Sequence, residues 1–215
     1  MIVLYSGTPG SGKSLHAARI IRQCIKQNIP VIANFEIDYD AIKTKRKKGN
    51  FQYLDNTEIS PEYLKQYALQ YFRGKTVKEE SIFLFIDEAQ LLFNAREWGK
   101  KGRSDWLSFF TQHRKYGYHI VLCAQFDRMI DRQIRSLIEY EYIHRKVSNF
   151  GWKGQIMSLL VGGKLFVSVK VWYPMKEKVG AEFYVAMKRD YNLYNTFLDF
   201  SRETRCSGVT AQNTA

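Results

Sequence analysis

The 215-residue chain is long enough to bury a complete α/β core, and its 45% apolar and 25% charged content is ordinary for a globular protein. Its three cysteines have no metal-ligand spacing, the first residues predict no signal peptide, and no apolar stretch approaches the roughly 18 residues of a membrane span. The net charge of +12 is unusual and indicates a polyanionic partner, either nucleic acid or an anionic membrane surface.

The first motif is a glycine-rich turn directly after the apolar run 2–5, which predicts a buried strand. Residues 7–14 read Gly-Thr-Pro-Gly-Ser-Gly-Lys-Ser, and a helix is predicted to begin at about Lys13. Such glycines permit positive φ, so that backbone N–H groups close around phosphate oxygens at the positive end of the helix. Lys13 would reach the β- and γ-phosphates, and the Ser14 hydroxyl would ligate Mg²⁺. The residues predicted to contact a nucleoside triphosphate are Gly7, Thr8, Pro9, Gly10, Ser11, Gly12, Lys13, Ser14 and Leu15.

The next elements are a helix over 14–27 and a strand over 31–34. The 46 residues from 36 to 81 are too many for a plain crossover between parallel strands and predict an insertion. This insertion contains the basic run 43–48 and a helix from Ser60 to Phe72, with proline at its first position and Gly74 beyond its end.

Two acidic residues follow the second long apolar run. Residues 82–86 read Ile-Phe-Leu-Phe-Ile, which predicts a central parallel strand buried on both faces, and Asp87 and Glu88 come directly after it. Asp87 is predicted to hold the Mg²⁺ hydration shell, and Glu88 to deprotonate the attacking water. The alternative is an ordinary buried strand followed by two surface acids, but an intact phosphate loop in the same chain favours the catalytic interpretation.

A third strand, predicted over 119–124, ends in Gln125. This glutamine would lie near the γ-phosphate if its strand neighbours the Asp87 strand; otherwise it simply begins a surface loop. Before the strand, a helix is predicted from Ser104-Asp105 to Gly117. Arg114 on it is a candidate arginine finger for a neighbouring subunit, with Arg128 and Arg135 as rivals, or else a helix-end residue that complements the macrodipole.

The remaining pattern changes from βα alternation to short strands. A helix near 131–138 and a strand near 140–146 precede two predicted strands, 156–161 and 165–173, on either side of Gly162-Gly163, a two-residue hairpin signal. A further strand is predicted over 181–187. The predicted fold is therefore α/β, a P-loop NTPase core over 1–150 with a mostly parallel sheet and helices on both faces. A small antiparallel β meander follows over 151–200, and 201–215 is predicted to be disordered.

Basic residues cluster instead of scattering. Besides the run 43–48, one cluster interleaves arginine and lysine with tryptophan, which suits a single-strand track where phosphates meet charge and bases stack. The residues of that cluster are Arg96, Trp98, Lys100, Lys101, Arg103 and Trp106. A further basic cluster comprises Arg128, Arg132, Arg135, Arg145 and Lys146. A run such as 43–48 is equally typical of a solvated loop.

Four blocks, at 7–14, 31–35, 83–90 and 113–125, resemble the zonular occludens toxin family, which includes the assembly ATPases of filamentous phages; the last block is also similar to the FtsK–HerA class of DNA-pumping ATPases. The resemblance covers roughly residues 1–147. It implies ATP and Mg²⁺ as cofactors and Gln125 as the sensor of the γ-phosphate. It also implies a homo-oligomer on the cytoplasmic side of the host cell, acting on single-stranded DNA or phage coat proteins, with an inner-membrane assembly partner or an anionic membrane surface. Family members usually carry a membrane span after the ATPase domain, so a fragment, a short variant and attachment through a partner all stay open.

Two other classes of function remain open from the residues alone. A small-molecule kinase also uses this type of phosphate loop, although the adjacent acids and the basic insertion argue against it. A nucleic-acid-binding module could hold the nucleotide without hydrolysing it. A GTPase is disfavoured because no Asn-Lys-x-Asp element is present.

Overall fold

The centre of the molecule is one β-sheet, seen in a computed structural model that describes residues 1–96, 102–161 and 164–193. Its strands are β1 (Ile2–Ser6), β2 (Val31–Ala33), β3 (Phe51–Tyr53), β4 (Ile82–Ile86), β5 (Tyr118–Ala124), β6 (Tyr140–Lys146), β7 (Leu165–Trp172) and β8 (Glu177–Val185). Among the described residues they pair in the order β3-β2-β4-β5-β1-β6-β7-β8. Neighbours from β3 to β6 are parallel, whereas β7 and β8 are antiparallel additions.

Helices cover both faces of this sheet. They are α1 (Lys13–Lys26), α2 (Pro61–Tyr71), α3 (Arg103–Gln112), α4 (Arg132–Arg135), α5 (Gly151–Leu160) and α6 (Lys188–Leu193). On one face α1 buries Ile21 and Ile25 against the sheet. On the other face α2 contributes Leu64, and α3 contributes Phe109 and Phe110. The predicted fold class, a mostly parallel sheet with helices on both faces followed by antiparallel strands, is therefore confirmed.

The strand order decides where the functional motifs meet. Strand β5 pairs in parallel with β1 on one side and with β4 on the other. Because parallel strands end at the same edge of a sheet, the segments that follow β1, β4 and β5 emerge together. We call this the carboxyl edge, and the opposite one the amino edge. The phosphate loop, the acidic pair and Gln125 all lie at the carboxyl edge.

The prediction of a strand over 156–161 is wrong, because this segment belongs to helix α5. A short apolar run has no period that separates a strand from a helix, and here the apolar residues are exposed, not paired in a sheet. The predicted hairpin at Gly162-Gly163 falls outside the described residues, and the hairpin that the structure contains joins β7 to β8. The sheet continues across the predicted boundary at residue 150, because β7 pairs with β6. The predicted disordered segment 201–215 lies outside the described residues.

Smaller differences concern helix lengths. The helix predicted up to Gly117 ends at Gln112 and continues as a 3-10 turn, His113–Tyr116, before Gly117 adopts a φ of +70°. The helix predicted near 131–138 is the single turn Arg132–Arg135. Strand β3 was not predicted, since three residues carry too little alternation to be recognised.

The hydroxyl of Tyr118 provides a test of the packing between the sheet and α2. This hydroxyl donates to the Leu64 carbonyl at 2.8 Å, and both residues are fully buried. We expect Tyr118→Phe to lower the free energy of unfolding by about 1 kcal/mol, measured by urea denaturation, because the hydrogen bond is lost without a compensating contact with water. Tyr116→Phe, at a half-buried position two residues earlier, is the control. An equal effect of both substitutions would contradict the assigned role.

Candidate nucleotide site

The phosphate loop adopts the predicted strand–loop–helix geometry. Gly7, Gly10 and Gly12 have φ values of +143°, +72° and +96°, which other residues adopt only with strain. The N–H of Gly7 donates to the carbonyl of Gln125 at 3.1 Å, so the loop is joined to the end of β5. The ammonium of Lys13 donates to the carbonyls of Gly7 at 2.7 Å and of Thr8 at 3.3 Å. It therefore lies inside the loop, where a phosphate chain would sit.

Ser14 and Asp87 come together as the predicted metal ligands. The Ser14 hydroxyl donates to Oδ2 of Asp87 at 3.0 Å. Neighbouring ligands of an octahedral Mg²⁺ lie about 2.9 Å apart, since each Mg–O bond is about 2.0–2.1 Å. The described residues contain no cluster of three or more His, Cys, Asp or Glu side chains suited to a metal. This donor set fits Mg²⁺, which is commonly held by one or two carboxylates together with substrate phosphates.

The electrostatics of Asp87 also fit a cation. Burial raises the pKa of this carboxyl above its usual range, whereas hydrogen bonds from the Glu88 N–H and the Ser14 hydroxyl act in the opposite direction. A divalent cation at the carboxylate would stabilise the ionised form. The site is thus arranged so that the charge on Asp87 is better stabilised when a cation is present.

Asn34, which sequence reasoning did not single out, holds the main chain of Asp87. Its amide Nδ2 donates to the Asp87 carbonyl at 2.9 Å, and its Oδ1 accepts from the Asp87 N–H at 2.6 Å. The same Nδ2 donates to Oδ1 of Asn56, from the insertion, at 2.8 Å. The available signal was a polar residue at the carboxyl end of a buried strand, but only the pairing of β2 with β4 places that residue beside Asp87.

Glu88 stands in the left-handed region with a φ of +46°, an uncommon conformation for a residue with a side chain. Its carboxylate is exposed and accepts a hydrogen bond from Gln90. Glu88 lies in a cleft of about 700 Å³ together with the phosphate loop. The cleft is lined by Pro9, Gly10, Gly12, Lys13, Ser14, Leu15, Asn34, Phe35, Asn56, Asp87, Glu88, Leu91, Lys146, Lys164, Phe166 and Tyr191.

Gln125 meets the geometric condition of the sensor prediction, because β5 neighbours β4. Its carbonyl accepts from Gly7, as described, while the residue lines a separate cleft of about 530 Å³ beside Gly7 and Thr8. Gln125 is therefore adjacent to the phosphate loop, but the structure does not place it among the residues of the main cleft. Its sensor role stays a prediction.

Arg114 lies at the amino edge, away from the other predicted site residues. It donates to Oε1 of Glu139 at 2.9 Å. The seven residues of β5 separate it from Gln125, a distance of about 23 Å along the strand. Arg114 can therefore serve as a finger only for a neighbouring subunit, and that role stays a prediction. Of its rivals, Arg128 lines a cleft at the carboxyl edge, and Arg135 donates to the Asp127 carbonyl at 3.4 Å.

A buried cluster of aromatic and histidine side chains packs next to the phosphate loop. The sequence analysis did not predict this cluster. Nδ1 of His16 lies 2.8 Å from Nε2 of His144, and the ring of Tyr5 stacks on His16 with centroids 4.9 Å apart. Burial lowers the pKa of His16 to about 4 and that of His144 to about 3, so both rings are neutral at pH 7. The His144 carbonyl would lie 2.5 Å from a Cβ at Gly7, so only glycine fits there.

The chain is similar to known proteins over most of its length. The profile of the family described as zonular occludens toxin matches residues 1–179. The Gene 1 protein of Enterobacteria phage M13 is 23% identical over 167 residues, 76% of this chain and 48% of that protein. The chain thus spans about half the length of the curated relatives it matches.

Solved structures show the same fold. The N-terminal domain of zonular occludens toxin from Neisseria meningitidis superposes with a TM-score of 0.53 at 20% identity, covering 90% of this chain and 98% of that domain. The genome packaging NTPase B204 from Sulfolobus turreted icosahedral virus 2, in complex with ATP-gammaS, superposes with a TM-score of 0.52 at 15% identity, covering 86% and 97%.

The pairing of Asn34 with Asp87 generates a test of the metal site. We expect Asn34→Ala to raise several-fold the Mg²⁺ concentration needed for half-maximal nucleotide hydrolysis, because the main chain of Asp87 loses two hydrogen bonds and its carboxylate loses its fixed position. The unpaired groups should also lower the free energy of unfolding by about 1–3 kcal/mol. Asn149→Ala, in the neighbouring cleft, is the control. An unchanged Mg²⁺ dependence of Asn34→Ala would contradict the assignment.

Proposed function

Because the chain belongs to the zonular occludens toxin family, we propose that it is a Mg²⁺-dependent ATPase that drives the assembly and export of filamentous phage at a membrane, moving single-stranded DNA or coat protein. The observation that carries this proposal is the single cleft that contains the phosphate loop, the Ser14–Asp87 pair and the exposed carboxylate of Glu88. These groups are the parts that phosphoryl transfer to water requires.

The proposed reaction assigns one task to each residue. Lys13 exchanges the two carbonyls that it contacts for phosphate oxygens, and the loop N–H groups bind the remaining phosphate oxygens. Ser14 and Asp87 would hold Mg²⁺, which neutralises charge on the β- and γ-phosphates when bound. Glu88 accepts a proton from a water molecule as the water oxygen attacks the γ-phosphorus and the bond to the β-phosphate oxygen breaks. The products are ADP, phosphate and the proton on Glu88.

The exposed carboxylate of Glu88 distinguishes the proposed ATPase from a module that binds nucleotide without hydrolysing it. We expect Glu88→Gln to keep ATP affinity within about twofold and to lower the hydrolysis rate by about 10²–10⁴, since the base is lost while the shape remains. Lys13→Ala should instead weaken ATP binding itself. Phosphate release and isothermal titration measure the two effects. Near-wild-type turnover by Glu88→Gln would exclude Glu88 as the base.

We infer a surface for single-stranded DNA next to this site. The loops after β4 and β5 are joined, because the Ala95 N–H donates to the Met129 carbonyl at 3.1 Å and the Asp131 N–H donates to the Phe93 carbonyl at 2.9 Å. One cleft lies between these loops and a second lies beside them, and both are lined by Phe126 and Asp127. We call this the carboxyl-edge groove; its basic and aromatic lining residues are Arg96, Phe126, Arg128, Arg145, Lys146 and Phe150. The acids of the lining, Asp127 and Glu141, both pair with Lys176.

The carboxyl-edge groove has the composition of a single-strand track. The rings of Phe126 and Phe150 are 55% and 50% exposed, as needed for stacking on bases, and four cations are available for phosphates. Phe126 directly follows Gln125, whose carbonyl holds the phosphate loop at Gly7. A strand of DNA on Phe126 would therefore be connected to the phosphate loop through Gln125 and one hydrogen bond.

Other candidate DNA contacts differ in position. Trp98, Lys100 and Lys101 lie outside the described residues. The basic run 43–48 leads into Gly49, whose N–H donates to the Ile25 carbonyl at 2.8 Å at the amino edge. One short strand of DNA along the carboxyl-edge groove would not reach this run, because the two surfaces are at opposite ends of the sheet.

Membrane contact is proposed for helix α5. Leu159 and Leu160 are 81% and 80% exposed, and Trp152 is also exposed, which is typical of a helix that rests in a lipid interface. The sequence contains no acidic residue from 142 to 176, so this region suits anionic headgroups. Among the described residues, no helix is long and apolar enough to cross a bilayer.

The carboxyl-edge groove can be tested with two matched charge variants. We expect Arg96→Gln with Arg145→Gln to weaken oligo-dT binding and to reduce the salt slope by about 1.4 log units per log unit of salt, since about 0.7 is lost for each phosphate contact on a single strand. DNA-stimulated ATPase activity should fall while basal hydrolysis is retained. Lys45→Gln with Lys47→Gln changes charge equally at the other end and should leave the slope unchanged.

One result would contradict single-stranded DNA as the transported polymer. If the protein binds no oligo-dT at about 20–50 mM salt, where electrostatic binding to phosphates is strong, the groove is not a DNA track and the transported substrate is protein. Flotation with anionic vesicles does not by itself contradict DNA binding, because α5 is the proposed membrane contact.

A further inference from the structure

The nucleotide cleft has a second end to which the proposed chemistry assigns no role. Lys164, Phe166 and Tyr191 line the cleft in addition to the phosphate loop, Asp87 and Glu88, and the β7–β8 hairpin lies on the opposite side of β1 from β4. These three residues belong to the β7–β8 hairpin region and to α6, which follows it. They are outside every motif that defines a phosphate-binding site.

The hairpin is attached directly to the phosphate loop. The hydroxyl of Tyr184 donates to the Gly12 carbonyl at 3.0 Å, and the rings of Tyr184 and Phe166 stack with centroids 5.6 Å apart. A Cβ at Gly12 would lie only 2.7 Å from the ring of Phe166. Leu15, in the first turn of α1, packs in the same buried cluster. An apolar wall therefore stands immediately beside the phosphate loop.

The sheet order gives the direction in which a nucleotide would lie. Strand β1 has β5 and then β4 on one side, and β6 and then β7 on the other. The γ-phosphate must point toward the β4 side, because Asp87 and Glu88 are there. The opposite end of the molecule, the nucleoside, therefore points toward β7 and the apolar wall.

Tyr191 is held where it can contact that nucleoside. Asp190, the preceding residue, pairs with Arg22 of α1 at 3.1 Å, and the Leu193 carbonyl accepts from the Asp38 N–H at 3.0 Å. Between these two anchors the ring of Tyr191 is 42% exposed, and the ammonium of Lys164 lies 5.5 Å from the ring centroid. Helix α6 thus presents an open aromatic ring at the mouth of the cleft.

We propose that this end of the cleft is the base-binding site for a purine nucleotide, with Tyr191 stacking on the base, Phe166 and Leu15 forming the apolar wall, and Lys164 contributing charge near the ring. The inference rests on the proposed ATPase function and names the part of the site that recognises the nucleoside. Stacking on an aromatic ring is favourable for any base and strongest for large ones, so this site supplies affinity for the nucleoside beyond that of its phosphates.

The experiment compares two ligands on the full chain. Isothermal titration measures the affinity for ATP and for inorganic tripolyphosphate, each with Mg²⁺. We expect ATP to bind more tightly, and Tyr191→Ala to weaken ATP binding by about tenfold, within the range reported for loss of one base–aromatic stack, while leaving tripolyphosphate binding unchanged. Tyr191→Phe should retain wild-type affinity for ATP. Phe183→Ala, which removes an exposed ring from β8 outside the cleft, is the matched control.

The outcomes separate this proposal from the one on which it rests. If ATP and tripolyphosphate bind equally and Tyr191→Ala changes neither affinity, while Lys13→Ala abolishes both, the base site is wrong and the phosphate site stands. If Tyr191→Ala weakens the binding of ATP and of tripolyphosphate equally, the substitution alters the structure of the cleft, and the proposed base site is also wrong. If neither ligand binds the wild-type chain, the proposed ATPase function and the base site fail together.

Discussion

The nucleotide site depends on the parallel pairing of β5 between β1 and β4. Two strand spacings, about 10 Å, separate the strand of the phosphate loop from the strand of the acids. That width leaves space for a phosphate chain and a cation, while Ser14, on the first turn of α1, still reaches Asp87 at 3.0 Å. The same strand supplies the Gln125 carbonyl that holds Gly7. Strand β5 therefore sets the width of the cleft and also anchors the phosphate loop.

The antiparallel hairpin completes the cleft because of its direction. Strand β7 begins opposite the end of β6, where Lys146 pairs with Phe166, and β8 returns to the same edge at Val185. Both ends of the hairpin thus lie at the carboxyl edge without a crossover helix. A parallel strand at this position would have had its first residues at the amino edge, far from the phosphate loop.

Cations lie at both edges of the sheet, but in different surroundings. At the amino edge Arg114 pairs with Glu139 and the N-terminal ammonium lies 3.7 Å from Glu80, while the run 43–48 carries five cations without an aromatic residue among them. At the carboxyl edge, arginines and lysines line the clefts together with exposed phenylalanines. The surface proposed for a polyanion therefore lies beside the phosphate loop, and the two are connected through the hydrogen bond from Gly7 to Gln125 and the adjacent Phe126.

The sequence by itself determined the phosphate loop, the acidic pair and the mostly parallel sheet, because each depends on local spacing: glycines where φ is positive, a hydroxyl directly after lysine, acids at the end of an apolar run. It did not reveal helix α5, since a short apolar run is compatible with a helix or a strand. Only the tertiary structure decided which strands are neighbours. That order brings Asn34 to Asp87, keeps Arg114 away from the cleft and sets Phe166 against Gly12. These contacts join residues far apart in the chain, and no local pattern encodes them.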